Sequence, residues 1–103
     1  MAKLKLTPDP TFKFSVGIPV PGLGNAPVVF VFKHRNGDEL EAWIKATSDS
    51  SDAETIIDCA VSWDLDDEFN AANVKAFCNN YPGGAYAIVR GYMGELRGQR
   101  AKN

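Results

Sequence analysis

The sequence predicts an α+β domain in which an N-terminal two-stranded antiparallel β unit packs on about four short α-helices. Three observations carry that prediction. Apolar residues alternate with polar ones before residue 34, which is the period of a half-buried strand. After residue 36 they recur at i, i+3, i+4 and i+7, which is the period of an amphipathic helix. Two helix-start signatures, Asn36-Gly37-Asp38-Glu39 and Ser51-Asp52-Ala53-Glu54, place a capping residue three positions ahead of a glutamate.

The first strand is predicted over residues 11–16, where Phe12, Phe14 and Val16 fall on one face and Lys13 and Ser15 on the other. The second covers residues 26–33, a β-branched and aromatic run with Pro27 tolerated near its start or on an edge. Between them, residues 17–25 contain prolines and glycines that oppose regular structure and are too many for a tight hairpin. Ile18, Val20 and Leu23 in this loop either fold back on the core or form an adhesive surface.

The first helix follows Asn36 and presents Leu40, Trp43, Ile44 and Thr47 on one face. The second follows Ser51 and is expected to carry Ile56, Ile57, Ala60, Val61 and Trp63 into an acidic hinge, Trp63-Asp64-Leu65-Asp66-Asp67-Glu68-Phe69-Asn70. That hinge joins two helices in this reading, and its carboxylates precede the positive end of the next helix. Asn70 caps a third helix bearing Val74, Phe77, Cys78 and Tyr81, which stops at Pro82-Gly83-Gly84. The last helix begins near Gly84 and runs through Ala85, Ile88, Val89, Tyr92 and Leu96. Gly91 and Gly94 each cost it roughly 1 kcal/mol relative to alanine, so close approach to another helix, or a weak helix that firms on binding, is expected there. Arg97, Arg100 and Lys102 suit the negative pole of its dipole.

At 103 residues, with 45 % hydrophobic and 23 % charged, the chain lies in the globular range and is expected to form one domain over residues 1–103. A net charge of −2 lacks the cationic excess that phosphate binding uses, which argues against nucleic acid as a partner. No apolar run has the length of a signal peptide or of a bilayer span, so no membrane association and a cytoplasmic location are expected. Cys59 and Cys78 belong to no Cys-x-x-Cys unit and are read as reduced, buried thiols, although a bridge depends on how two helices meet.

No catalytic constellation emerges from the residues. His34 is the single histidine, so a multi-histidine zinc site cannot be assembled within the chain, and flanked by Lys33 and Arg35 at a strand end it reads as a solvated surface group and not as the base of a catalytic triad. The hinge lacks the glycine and the terminal bidentate glutamate of an EF-hand loop. Gly22-Leu23-Gly24 and Pro82-Gly83-Gly84 lack the lysine and spacing of a phosphate loop and read as turns. No enzyme activity, metal or cofactor is expected. Trp43, Trp63, Phe69, Phe77, Tyr81, Tyr86 and Tyr92 are foremost core candidates, some of which can anchor an interface.

Five segments together resemble a known family: Lys-Leu-Thr-Pro-Asp-Pro-Thr-Phe at 5–12, Ile-Pro-Val-Pro-Gly at 18–22, Val-Phe-Lys-His-Arg at 31–35, the hinge at 63–70 and Asn-Tyr-Pro-Gly at 80–83. The family is that of small tail assembly chaperones of long-tailed bacteriophages and prophages. The resemblance implies a non-enzymatic helper that binds the tape measure protein, keeps it soluble, helps recruit tail tube protein and is absent from the mature virion. It also implies the short product where a frameshifted longer form is made. Ile18, Val20 and Leu23 of the loop, with Tyr86 and Tyr92 of the last helix, are the expected contacts for tape measure protein or sister copies in a homo-oligomer. The rival reading is a minor structural or tail-completion protein retained in the virion through a free strand edge.

Overall fold

The computed structural model describes residues 4–98. Its element order is β1 (Thr11–Val20), β2 (Gly24–Lys33), α1 (Gly37–Ala46), α2 (Asp52–Cys59), β3 (Ala60–Trp63), α3 (Ala71–Asn80) and α4 (Pro82–Arg97). The class is α+β with four helices, as the periodicities predict, but the antiparallel sheet has three strands in the order β1-β2-β3 instead of two.

The hairpin is longer and tighter than expected. Pairing runs without interruption from Thr11↔Lys33 to Val20↔Gly24, so most of the presumed loop is strand. A turn at Pro21 and Gly22 closes it, with the Leu23 N–H donating to the Val20 carbonyl at 2.9 Å. Gly22 sits at φ 82°, which glycine adopts without the Cβ clash that other residues meet, and Pro21 before it pre-sets the turn.

Strand β3 replaces the predicted end of the second helix. The helix stops at Cys59, and residues 60–63 pair with β2 through Phe30↔Trp63 and Val31↔Ser62, with a register shift before Phe32↔Ala60. Asp64 extends the pairing: its N–H donates to the Val29 carbonyl at 3.1 Å and its carboxylate accepts the Val29 N–H at 2.9 Å. The helical spacing of Ala60, Val61 and Trp63 is thus overridden by open hydrogen-bonding positions on β2. The hinge consequently joins a strand to a helix.

Both capping boxes form. Asn36 accepts the Glu39 N–H while Glu39 accepts the Asn36 N–H, and Ser51 and Glu54 do the same. The Ser51 backbone N–H, with its hydroxyl, holds the Glu54 carboxyl below the usual range. Asn70 caps α3 through the Asn73 N–H. Helix α4, expected to begin near Gly84, starts two residues earlier at Pro82, because proline at the first helical position gives up only an N–H that has no partner there. Arg97 lies in its last turn, while Arg100 and Lys102 fall outside the described residues.

One face of the sheet carries Phe12, Phe14, Val16 and Ile18 of β1, Val28, Phe30 and Phe32 of β2, and Trp63 of β3. Helix α4 packs along β1, and α2 and α3 close the core beside it. Gly91 has the expected structural reason with a different neighbour, since a Cβ there would lie 3.3 Å from the Phe14 ring; Gly84, not among the glycines singled out from the sequence, is seated more closely still, a Cβ on it lying 3.1 Å from Ile18. The close approach is thus to strand β1, and in the case of Gly84 also to Phe77 of α3. Helix α1 is anchored by Leu40 and by Trp43, whose ring meets Tyr92 edge-on at 5.2 Å.

Candidate functional site

An apolar groove of about 500 Å³ opens between the hairpin end of the sheet and α3. One wall is the strand pair, with Ile18 and Val20 from β1 and Ala26 and Val28 from β2. Strand alternation puts all four on the same face, since Val16 pairs with Val28 and Ile18 with Ala26. The other wall is α3, where Asn73, Ala76, Phe77 and Asn80 recur at helical spacing. Trp63, Leu65 and Asp67 close one end and Tyr81 the other.

The end wall is held by local hydrogen bonds. The Trp63 indole N–H donates to the Asp67 carbonyl at 2.7 Å, and the Asn73 side-chain amide donates to the Glu68 carbonyl at 2.7 Å. The Trp63 ring packs edge-on against Phe69 at 5.1 Å and tilted against Phe77 at 5.8 Å. These contacts fix the acidic segment as a shaped lip. Asp66, Asp67 and Glu68 are exposed on it, and among the described residues no Lys or Arg lines the groove. The resulting site is an apolar trough with the Asp67 carboxylate in its lining and Asp66 and Glu68 next to it in the chain.

The five predicted contact residues separate in space. Val20 is half-buried in the groove wall, and Leu23 stands 84 % exposed at the hairpin tip. Tyr86 is exposed on α4, where the Arg90 guanidinium lies over its ring. Ile18 and Tyr92 require correction as surface residues, being 2 % and 0 % exposed. Continuation of β1 through residue 20 turns Ile18 inward, where it forms groove floor. Tyr92 is core because α4 lays it against Phe12, Phe32 and Trp43. Its hydroxyl donates to the Lys33 carbonyl at 2.7 Å and accepts from Arg35 at 2.8 Å. Burial raises its pKa from the ordinary value.

Sequence reasoning passed over Ala26, Val28, Asn73, Ala76 and Asn80. The visible signal was the row Asn73, Ala76, Asn80, small and amide side chains beside Phe77 where a core-facing helix would carry aliphatics. Arg35 was also missed: it stacks on Trp43 at 5.0 Å and pins α1 to the core rather than standing in solvent.

Cys59 is a buried free thiol and Cys78 a half-buried one, less enclosed than expected. Burial pushes the Cys59 thiol up to about 12 and also raises Cys78. Neither is a thiolate nucleophile at neutral pH. Among the described residues no three His, Cys, Asp or Glu side chains are grouped to hold a metal ion, and no helix is long and apolar enough to cross a membrane.

No curated protein and no solved structure matches the chain significantly. The sequence profile of the family described as phage tail assembly chaperone matches residues 1–103, the whole sequence. With that match along its full length, the chain belongs to the phage tail assembly chaperone family.

Proposed function

We propose that the protein is a non-enzymatic chaperone domain, spanning residues 1–103, that binds tape measure protein and helps recruit tail tube protein to it. The observation that carries this reading is the full-length family match, and the groove gives it a physical basis. Long tape measure segments carry apolar faces that stay uncovered until a tube encloses them. Several weakly held small acidic domains can shield such faces while their charge keeps the complex soluble. Val20 in the groove wall, Leu23 at the hairpin tip and Tyr86 on α4 are contacts in this proposal, and Ile18 supports them from beneath. The protein acts in the cytoplasm of the infected or lysogenic host and leaves before the virion is complete.

Co-expression with the tape measure protein of the same phage tests the reading. The wild-type chain should keep that protein soluble and co-purify with it, and Leu23→Ser with Tyr86→Ser should reduce recovery while leaving the circular dichroism spectrum unchanged. Recovery equal to wild type removes these two side chains from the interface. Mass spectrometry of purified particles separates the chaperone from the retained structural protein: detection of this chain in fixed stoichiometry would favour the latter.

A further inference from the structure

Strand β1 is ten residues long and lies at one edge of the sheet, with β2 as its neighbour on one side only. The His34 N–H donates to the Pro10 carbonyl, and Val29, an odd-numbered residue of β2, bonds to Asp64 on the β3 side. Antiparallel alternation therefore turns the even-numbered residues of β1 toward β2 and the odd-numbered ones away from it. The N–H and C=O groups of Thr11, Lys13, Ser15 and Gly17 form an open row, and among the described residues no group bonds to them. We infer that this row takes up an extended, acidic segment of a partner protein as a fourth strand.

The two edges of the sheet are guarded differently. Strand β3 is four residues long, has a register shift, and gives way to Asp64, whose carboxylate takes the Val29 N–H in place of a backbone carbonyl. Strand β1 pairs over its whole length without a bulge, and its one proline, Pro19, lies beyond the open row. Phe12 and Phe14 are only half-buried along this edge, whereas Phe32 and Phe30 across from them on β2 are 0 % exposed. A strand added beside β1 would pair the open row and cover the rims of both rings.

Charge selects the occupant. Neither β1 nor β2 contains Asp or Glu, and Lys13 and Lys33 stand exposed on the same outer face, because Thr11 pairs with Lys33 and Lys13 with Val31. The carboxylates bordering the Thr11 end are Asp9 and Glu95, and Asp9 is paired with Lys5 at 2.9 Å. A partner strand with carboxylates at alternate positions meets Lys13 across the new pairing, with Lys33 adding to the field from the next strand. Its apolar residues then turn toward Phe12 and Phe14. A second copy of β1 fits worse, since a two-fold antiparallel pairing centred on Lys13 or Phe14 sets Lys13 opposite or diagonal to its own image.

Amide exchange measured by NMR on the full chain tests the inference, with a blocked peptide of alternating valine and glutamate long enough to span residues 11–17. In the free protein the Thr11, Lys13, Ser15 and Gly17 amides should exchange readily beside protected Phe12 and Phe14 amides. The peptide should protect the first set and shift its resonances. Ser15→Pro deletes an outward N–H without touching the β2 pairing and should weaken binding by about tenfold or more. Lys13→Glu leaves the backbone row intact and should weaken it about fivefold or more, as should lysine in place of glutamate in the peptide. A peptide that fails to protect these amides overturns the inference, as does a lysine peptide or a Lys13→Glu variant that binds equally well. These two arms decide the matter even where Ser15→Pro does not fold; a folded Ser15→Pro that binds as wild type also overturns it. Protection of the same amides in peptide-free protein that sediments as a dimer gives the edge to a second copy and likewise overturns it. None of these measurements contains tape measure protein, so their failure leaves the chaperone reading standing, and failed co-purification leaves this one standing.

Discussion

Gly83 and Gly84 occupy adjacent positions in the first turn of α4, yet alanine at each should change stability in opposite directions. At both, replacing glycine removes backbone freedom from the unfolded chain and gains some fraction of the ~1 kcal/mol by which alanine exceeds glycine in a helix. A Cβ on Gly83 would meet only the Pro19 ring, at 3.5 Å, an ordinary contact. A Cβ on Gly84 would lie 3.0 Å from two atoms of the Phe77 ring and 3.1 Å from the Ile18 methyl, with both neighbours themselves buried. Overpacking of this kind costs about 1–3 kcal/mol, so Gly84→Ala should be destabilised by about 1–2 kcal/mol net. Gly83→Ala should be neutral or gain up to ~1 kcal/mol. For a chain of this length the two variants should be separated by about 4–8 °C in Tm per kcal/mol. Thermal and urea unfolding followed by circular dichroism measures both. Equal shifts in the same direction would refute the claim that α4 is seated on β1 and α3 through this glycine. The groove should register the change as well, because Phe77 and Ile18 line it.

Trp63→Ala removes a half-buried ring that packs on Phe30, Phe69 and Phe77 and should cost about 2–4 kcal/mol, below a full core truncation because the groove side is open. A variant that melts like wild type but fails to recover tape measure protein would place the ring in the interface alone. Tyr92→Phe keeps the aromatic contacts and deletes the hydroxyl shared by Lys33 and Arg35; about 1–2 kcal/mol should be lost in urea titrations. Cys59 gives a pH signature. Its thiol titrates near 12 in the folded chain, above its ordinary value of 9.0, so the folded state binds the proton more tightly. Stability from this group is complete below pH 9 and declines as pH rises toward 12, and Cys59→Ala should flatten that decline. Thiol labelling of native protein at neutral pH should accordingly reach Cys78 first, and preferential labelling of Cys59 would contradict its burial.

Local chemistry was legible because its signals need no distant partner. Capping boxes at Asn36 and Ser51, the Asn70 cap and the alternation of Phe12, Phe14 and Val16 each specify a conformation from neighbouring residues, and all recur in the fold. The family resemblance was legible too, since it rests on the order of residues alone. Residues 60–63 show where that reasoning stops. Their apolar spacing suits a helix, but four residues of strand exist because Phe30, Val31 and Phe32 offer partners from about thirty positions away.

Sequence alone therefore determined the class of the molecule and the starts of three helices, all properties of neighbouring residues. Tertiary structure decided which apolar side chains face water. Ile18 turned inward when the hairpin zipped through residue 20, and Tyr92 was sealed by α1, whereas Leu4, Leu6 and Leu23 stayed outside. Exposure depends on what the rest of the chain places nearby, and a groove between a strand pair and a helix exists only once those three elements have met.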